Sequence, residues 1–267
     1  MSKLEKIGDI TRREYEWLKS FKNLQPHEQK KVDAYEAKHK RVVVPKKKKE
    51  VTPSKKILIT KSVIWKYFEE FYKAETGREF QRTPESIKNI EPIIKYFAVD
   101  DEFFKCENLV KNMNEPSFKK GLLIIGKYGN GKTSILRTLS TMFNHFKMPI
   151  RFRTVNSHDL VTEWESISSQ GGRHLFFEKY LCSMLHIDDV KKERKASNYG
   201  TVEIIRDILE KRYDKKLKTF ITCNYRESDK EGNLKDALIE FSRYGNHIYD
   251  RLFEMFNIIE FKGKSFR

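Results

Sequence analysis

One short segment limits the folds open to this chain more than any other feature. Residues 121–133 read Gly-Leu-Leu-Ile-Ile-Gly-Lys-Tyr-Gly-Asn-Gly-Lys-Thr, so an apolar run from Leu122 to Ile125 leads into the spacing G-x-x-x-x-G-K-T. The following residues, Ser134 to Phe146, have the apolar periodicity of a helix. A buried strand, a glycine-rich turn and a helix start in this order predict a phosphate-binding P-loop.

The residue types in this turn suit a nucleoside triphosphate. The glycines let successive N–H groups point at phosphate oxygens, and the helix N-terminus adds a partial positive charge. Lys132 is expected to reach the β- and γ-phosphates, and the hydroxyl of Thr133 to ligate Mg²⁺. A chance match to the bare pattern occurs in roughly 1% of chains this long. We therefore expect ATP and Mg²⁺, with the nucleotide contacted by Gly126, Lys127, Tyr128, Gly129, Asn130, Gly131, Lys132, Thr133 and Ser134.

Two carboxylates follow a later apolar strand, Met184-Leu185-His186-Ile187. In a P-loop fold, an acid at the carboxyl end of a neighbouring strand holds Mg²⁺, and a second acid beside it polarises the attacking water. We assign Asp188 to magnesium and Asp189 to the general base. The alternative is that both acids are merely exposed at a strand end.

Asn224 directly follows the apolar strand Thr219–Cys223. It is expected to contact the γ-phosphate and the attacking water. The alternative is a turn-forming asparagine, which is common after a strand. Arg251, on a helix near the end of the domain, is the candidate to reach the nucleotide of a neighbouring subunit and stabilise transition-state charge. Arg243 is its rival, and a surface ion pair is the alternative for either. His186 is interpreted as a packed core histidine.

Composition narrows the partners. Lys and Arg number 54 against 38 Asp and Glu, which gives a net charge of +16 and favours a polyanion such as nucleic acid or an anionic membrane surface. No run approaches the roughly 18 apolar residues of a membrane span, and the charged N-terminus argues against secretion. The three cysteines suggest neither a disulfide framework nor a zinc site. These features favour a cytoplasmic protein without a membrane partner.

The chain divides into three regions by pattern. Residues 1–60 are basic and partly helical, with Tyr15, Leu18, Phe21 and Leu24 at three-residue spacing and a Lys-rich linker around residues 46–49. Residues 61–114 predict helices that link to the nucleotide-binding domain or bind a partner, one of them beginning at Thr83-Pro84. Residues 115–267 alternate strand and helix signals, which predicts an α/β fold with a parallel sheet.

The sequence also predicts the bounds of individual strands and helices within the last region. Strands are predicted at 150–155, 184–187, 219–223 and 258–261. Helical residues are predicted around Leu160–Trp164 and at 175–181, with a break at Gly171-Gly172 between them, and then at 201–213, 234–244 and 248–256.

With these motifs in place, residues from about 115 to 267 resemble the DnaC/IstB family of AAA+ ATPases. The resemblance continues beyond the P-loop in the order of five further segments, which are 186–189, 210–213, 222–224, 243–245 and 250–252, followed by the terminal residues 263–267. It implies a P-loop NTPase of the AAA+/ASCE type with a five-stranded parallel core, flanking helices and little or no C-terminal lid. ATP is then expected at a junction between subunits of a homo-oligomer, with Asn224 as the sensor asparagine and Arg251 as the arginine finger.

The family resemblance implies an ATPase linked to DNA. Loading of the replicative helicase onto single-stranded DNA, with the helicase gripped by the N-terminal region, is the leading hypothesis. An IstB-like helper ATPase in transposition is the alternative within the family. Outside it, a P-loop small-molecule kinase and a non-catalytic DNA-binding adaptor stay open.

Overall fold

The computed structural model describes Tyr15, Leu18, Lys19 and residues 24–39, 60–197, 202–226, 228–229 and 231–263. The chain forms two compact units, residues 1–57 and residues 58–267. In the first unit, helix α1 (Pro26–His39) carries Tyr35, whose ring stacks on that of Tyr15 at 4.5 Å. Leu18 and Val32 are buried. The predicted positions of Phe21 and the lysine run 46–49 lie outside the described residues.

A six-stranded sheet organises the second unit. Its strands are β1 (Leu109–Val110), β2 (Gly121–Gly126), β3 (Arg153–Asn156), β4 (Leu185–Asp188), β5 (Thr219–Cys223) and β6 (Phe256–Phe261), in the order β1-β6-β2-β5-β4-β3. All neighbours pair in parallel except β1, which pairs antiparallel with β6. The prediction of five parallel strands is confirmed, and β1 is an addition that two residues are too few to reveal by periodicity.

The position of the P-loop strand fixes the class of this fold. β2 lies between β6 and β5, so that β5 separates it from the acid-bearing strand β4. Both of its faces are covered, and every residue of β2 is buried; this is why its sequence is continuously apolar rather than alternating. Because the five strands are parallel, their carboxyl ends meet along one edge, where ligands bind in open α/β sheets. The arrangement is that of a P-loop NTPase of the AAA+/ASCE type.

Helices cover both faces of the sheet. They are α2 (Lys61–Thr76), α3 (Pro84–Phe97), α4 (Lys132–His145), α5 (Ser157–Glu165), α6 (Gln170–Tyr180), α7 (Ile204–Asp214), α8 (Leu234–Ile239) and α9 (Asn246–Met255), with 3₁₀ helices at Asp101–Lys105 and Glu240–Tyr244. The start of α3 follows the predicted chemistry, since the Thr83 hydroxyl accepts from the Ser86 backbone N–H at 3.1 Å and proline follows the cap. No helix follows β6 among the described residues, which end at Gly263.

One predicted helix break is wrong. Gly171 and Gly172 do not break a helix; they lie in the first turn of α6, where the Ser169 hydroxyl caps the Gly172 N–H at 3.1 Å. The interruption lies instead at residues 166–169. The helical stretch predicted over residues 234–244 is confirmed, as α8 followed directly by the 3₁₀ helix. The predicted strand at 219–223 has the bounds of β5.

The helices before the P-loop share a core with it. Phe68 of α2 and Ile93 of α3 are fully buried in the cluster that also contains Leu122 and Ile124 of β2 and Leu136 of α4. A second cluster on the opposite face of the sheet is built from Leu123, Ile125 and the inner sides of helices α5 to α9. Residues 61–114 thus belong to the same compact unit as the nucleotide-binding fold.

A buried arginine fastens one end of the sheet. Arg212 of α7 is fully buried, and its guanidinium donates to the Thr219 hydroxyl at 2.8 Å and to the carbonyl oxygens of Tyr180, Ser183 and Lys218. All four acceptors are uncharged, and burial lowers the pKa of Arg212 to about 10. The contacts join α7 to the start of β5, the end of α6 and the approach to β4.

None of the helices within the described ranges has both the length and the apolar content needed to cross a bilayer.

Candidate nucleotide site

The turn between β2 and α4 has a backbone that its glycines make possible. Gly129 and Gly131 adopt φ angles of 77° and 87°, a left-handed conformation that strains other residues. Gly126 is required by space, because a Cβ atom there would lie 2.5 Å from Nδ2 of Asn130 and 2.6 Å from the carbonyl oxygen of Phe261. The turn leads directly into the N-terminus of α4, where backbone N–H groups and the helix dipole favour an anion.

The ammonium group of Lys132 is buried in this turn. Its Nζ donates to the carbonyl oxygens of Gly126 and Lys127, both at 2.8 Å, and to Oδ1 of Asn130 at 3.1 Å and of Asn224 at 3.0 Å. Burial lowers the pKa of Lys132 to about 8. An ammonium has three hydrogens for these four oxygens, so an incoming phosphate oxygen can exchange with one of them without leaving the lysine unpaired.

A hydroxyl and a carboxylate meet beside the lysine. Oγ1 of Thr133 donates to Oδ1 of Asp188 at 2.9 Å, and Asp188 is buried. Nη2 of Arg137, one turn along α4, lies 3.9 Å from Oδ2 of Asp188. The two predicted metal-binding residues therefore lie together, although 55 residues separate them.

Thr222 of β5 supports this carboxylate from behind. Its hydroxyl donates its single hydrogen to Asp188, so it accepts from the two other groups it contacts, Nε2 of His186 at 3.2 Å and the Asp189 backbone N–H at 3.4 Å. The other ring nitrogen of His186, Nδ1, then accepts from the Thr154 hydroxyl at 3.4 Å. Burial lowers the pKa of His186 to about 4. His186 is thus a neutral core histidine.

Asn224 lies between the P-loop lysine and the second carboxylate. Its Oδ1 accepts from Lys132, and its Nδ2 donates to Oδ1 of Asp189 at 2.9 Å. The two neighbours fix the orientation of the amide, since an ammonium needs an acceptor and a carboxylate needs a donor. Asp189 itself has a φ of 54°, and its carbonyl oxygen accepts from the Ser157 hydroxyl at 2.8 Å. Backbone strain at such a position is typical of functional sites.

A second lysine stands at the mouth of the site. Nζ of Lys192 lies 3.5 Å from Oδ2 of Asp189 and 4.0 Å from the ring centroid of Tyr128 in the P-loop. The side chain of Lys192 is 31% exposed, so its charge is close to the site but still reached by water. Sequence patterns give no sign of this contact, because a lysine in a charged loop usually faces solvent.

These groups line a cleft of about 510 Å³. The P-loop and the ends of β4 and β5 form one wall. The opposite wall comes from the end of α2, the loop after it and the start of α3, and consists of Tyr72, Thr76, Arg78, Glu79, Phe80, Gln81, Ser86 and Asn89. The cleft thus has a phosphate-binding end and an end built from residues before the P-loop.

Neither candidate arginine finger lines this cleft within its own chain. Arg251 lies on α9 with its guanidinium 4.4 Å from the ring centroid of Tyr213. Arg243 donates from Nη1 to the carbonyl oxygen of Lys191 at 2.6 Å and from Nη2 to that of Glu193 at 3.2 Å. Both arginines have partners within the chain, and any role at a nucleotide would be exerted on another copy.

The residues present fit a magnesium nucleotide. The hydroxyl of Thr133 and the carboxylate of Asp188 are oxygen ligands of the kind Mg²⁺ prefers, and they are placed beside the ammonium that would bind phosphate. The described residues contain no group of three or more His, Cys, Asp or Glu that could hold a metal alone. Mg²⁺ would therefore take its remaining ligands from phosphate oxygens and water, as it usually does at nucleotide sites.

Comparison with known proteins gives similarity in structure alone. No protein-family model and no curated protein sequence matches the chain. The chain is similar to the crystal structure of the DnaC helicase loader, with 21% identity, 73% of this chain and 99% of that chain covered, and a TM-score of 0.49. It is also similar to a primosome component from Streptococcus pyogenes serotype M3 (17% identity, 70% and 84% covered, TM-score 0.45) and to DnaI (19%, 68% and 96%, TM-score 0.44). These are similarities of fold.

Proposed function

We propose that this protein is a cytoplasmic AAA+ ATPase that hydrolyses ATP to ADP and phosphate and acts on DNA, loading a replicative helicase. The observation that carries the ATPase proposal is the contact of Asn224 with both Lys132 and Asp189, 3.0 Å and 2.9 Å away. Through one amide, this contact joins Lys132, which would bind phosphate, to Asp189, which would activate water.

Each residue has a defined task in this reaction. Lys132 binds the β- and γ-phosphate oxygens, and Thr133 and Asp188 would hold Mg²⁺, which would neutralise phosphate charge. Asp189 accepts a proton from the water that attacks the γ-phosphorus, while the bond from that phosphorus to the β–γ bridging oxygen breaks and ADP leaves. Asn224 orients the water and the γ-phosphate. Arg251 of a neighbouring copy in a homo-oligomer stabilises the developing charge.

The opposite wall of the cleft is suited to the nucleoside. It combines an aromatic ring, Tyr72, with backbone and amide groups around Gln81. Aromatic faces and a few polar groups are the usual means by which proteins hold a base. We assign the base to this wall.

The DNA and helicase parts of the proposal rest on charge and on the order of the motifs. Within the net charge of +16, the first 57 residues alone contain 17 Lys and Arg against 8 Asp and Glu. Such a segment favours single-stranded DNA or an acidic protein surface, and its binding to DNA should weaken steeply with salt. We assign helicase binding to this N-terminal region.

The test is ATP turnover by the wild type, Lys132→Ala and Arg251→Ala, with and without single-stranded DNA and a replicative helicase. We expect both variants to be inactive alone and a mixture of them to regain part of the activity, because one supplies an intact cleft and the other an intact arginine. Arg243→Ala is the matched comparison for the finger. Stimulation by a transposase instead of a helicase would favour the transposition helper, and a fully active Arg251→Ala monomer would favour a kinase-like enzyme.

A further inference from the structure

Lys191, three residues beyond the end of β4, has a backbone conformation that favours glycine and a side chain that is nearly buried. Its φ angle is 83°, and its side chain is 6% exposed. A Cβ atom strains this backbone, and burial of an ammonium costs desolvation. Such a residue persists when the surrounding contacts hold it firmly, so its contacts identify what it does.

One of these contacts leads into the nucleotide site. Nζ of Lys191 donates to the backbone carbonyl oxygen of Asn224 at 2.9 Å. The side chain of that same Asn224 joins Lys132 to Asp189. Lys191 therefore fixes the backbone from which the bridging amide projects.

Three further contacts, through three different atoms of Lys191, lead to the 3₁₀ helix Glu240–Tyr244, and the Lys191 backbone N–H also donates to Oε2 of Glu193 at 3.0 Å. Nζ donates to Oε2 of Glu240 at 2.6 Å, and the backbone N–H donates to Oη of Tyr244 at 3.1 Å. The carbonyl oxygen accepts from Nη1 of Arg243 at 2.6 Å. Nζ also donates to the carbonyl oxygen of Ala237 in α8 at 3.1 Å. A short helix and the loop beside the nucleotide site thus meet at one residue.

We propose that Lys191 is a positioning residue that couples Asn224 to the Glu240–Tyr244 helix and so transmits nucleotide occupancy to that helix. The inference rests on the proposed nucleotide site. When Lys132 turns one hydrogen towards phosphate, one of its four acceptors must give way, and Asn224 is the acceptor that is tied to Lys191. A change at Asn224 then reaches Glu240, Arg243 and Tyr244 through the contacts of Lys191.

The helix that receives the change borders the protein surface outside the nucleotide cleft. Arg243 and Ile239 line a surface depression of about 460 Å³, to which Lys191 and Glu240 also contribute. Ile239, the last residue of α8, is 54% exposed there. Nucleotide occupancy would therefore alter a surface outside the cleft.

Two substitutions at Lys191 distinguish the role of its ammonium group from the effect of its left-handed backbone. Lys191→Gly relieves the left-handed backbone but removes the side chain, and Lys191→Met keeps the aliphatic stem without its ammonium. The measurement is hydrogen exchange of the amides in residues 236–245, with and without Mg²⁺ and the non-hydrolysable analogue AMPPNP. We expect a nucleotide-dependent change in the wild type and its loss in both variants. Lys235→Met, which removes an exposed lysine of α8, is the matched control and should retain the change.

Turnover provides the second readout. Both Lys191 variants should still bind AMPPNP within about threefold of the wild-type affinity, while kcat falls by about tenfold or more because Asn224 is no longer held in place. A nucleotide-dependent exchange change in Lys191→Gly equal to that of the wild type would overturn the inference. If both variants fail to fold, Glu240→Gln removes one anchor while Lys191 stays in place, and an undiminished change in that variant overturns it as well. A wild type that neither binds AMPPNP nor hydrolyses ATP would instead refute the proposed function.

Discussion

The Nζ atom of Lys132 lies 3.0 Å from the Oδ1 atom of Asn224, although 92 residues separate them in the chain. The sheet brings them together, since Ile125 near the end of β2 is in register with Cys223 at the end of β5. The turn that carries Lys132 follows β2, and Asn224 follows β5, so both leave the sheet at the same edge. The meeting of the P-loop lysine with an amide is therefore a property of strand order.

Nucleotide binding should become pH-dependent through Lys132. Because burial lowers its pKa to about 8 in the free protein, the lysine is charged below that pH and loses its proton above it. Phosphate stabilises the charged form, so above the free-protein pKa binding must take up a proton. We expect the affinity for ADP with Mg²⁺ to be level below pH 7.5 and to fall by about tenfold per pH unit above pH 8.5.

Isothermal titration calorimetry in buffers of different ionisation enthalpy measures this proton uptake directly. Lys132→Arg is the matched control, because a guanidinium stays protonated throughout this range. Its affinity is expected to be lower but independent of pH. Parallel pH profiles for the two proteins would contradict the assignment.

Thr222→Val should weaken magnesium binding without removing either proposed metal ligand. The substitution leaves Asp188 without the hydroxyl that donates to it and His186 without its acceptor. Loss of such a supporting hydrogen bond typically lowers metal affinity by roughly 10- to 100-fold. We expect the Mg²⁺ concentration for half-maximal ATP turnover to rise by that factor.

Thr154→Val is the control for Thr222→Val, because Thr154 contacts the other nitrogen of His186 and not Asp188. If both variants shift the Mg²⁺ dependence equally, the effect comes from the histidine rather than from the carboxylate.

Arg212→Met should destabilise the fold strongly. The methionine stem fills part of the space but removes the donor to the Thr219 hydroxyl and to the carbonyl oxygens of Tyr180 and Ser183, while that of Lys218 keeps the Leu185 N–H at 3.4 Å. Each buried group left unpaired costs about 1–3 kcal/mol. We expect the free energy of unfolding to fall by about 3 kcal/mol or more in urea titrations.

Arg206→Met on the same helix is the comparison for Arg212→Met. Arg206 bonds only to the neighbouring Asp207 among the contacts described and is 42% exposed. Its loss should change the free energy of unfolding by no more than about 0.5 kcal/mol. Equal effects of the two substitutions would show that Arg212 does not fasten the sheet.

Lys192→Met should distinguish triphosphate from diphosphate. Lys192 adds positive charge beside Asp189 and Tyr128, at the end of the cleft where a γ-phosphate would lie. A partly exposed charge contributes about 1 kcal/mol or less, which corresponds to about fivefold in affinity. Fluorescence titration should show such a loss of affinity for AMPPNP and a loss of less than about twofold for ADP.

Lys195→Met is the control for Lys192→Met. It removes a lysine that pairs with Glu203 at 3.4 Å outside the cleft, and it should leave both affinities unchanged. Equal losses for the two nucleotides would contradict the role of Lys192.

The parts of the fold that sequence predicts well are those with a strong local cause. Strand β5 and the start of α3 follow from a continuous apolar run and from a threonine–proline cap, and neither depends on distant residues. Strand β1 is different, because Leu109 and Val110 form a strand only where β6 offers an edge. The glycine pair 171–172 misled the prediction because glycine weakens a helix in its interior but is tolerated in the first turn beside a capping serine.

The candidate site also contains some residues that the sequence predicts and others that it does not. The P-loop glycines, Lys132 and the strand-end acids are recognisable because their spacing itself carries the chemistry. Thr222 and Lys191 are not, because their contacts arise from strand register and from a left-handed turn. A threonine inside an apolar strand and a lysine in a charged loop have no distinguishing pattern. A left-handed lysine becomes informative only when its partners are known.

The antiparallel strand β1 also decides where this sheet could grow. By pairing with Ile258 and Ile259, and through the Glu260 N–H that donates to the carbonyl oxygen of Asn108 at 2.9 Å, it occupies the outer side of β6. Within the described residues, the sheet's other border is β3, four residues long and beginning with the exposed Arg153. Short border strands resist the edge-to-edge joining that leads to aggregation. Crowded copies of this protein should therefore associate through their side-chain surfaces and not by extending one sheet into the next.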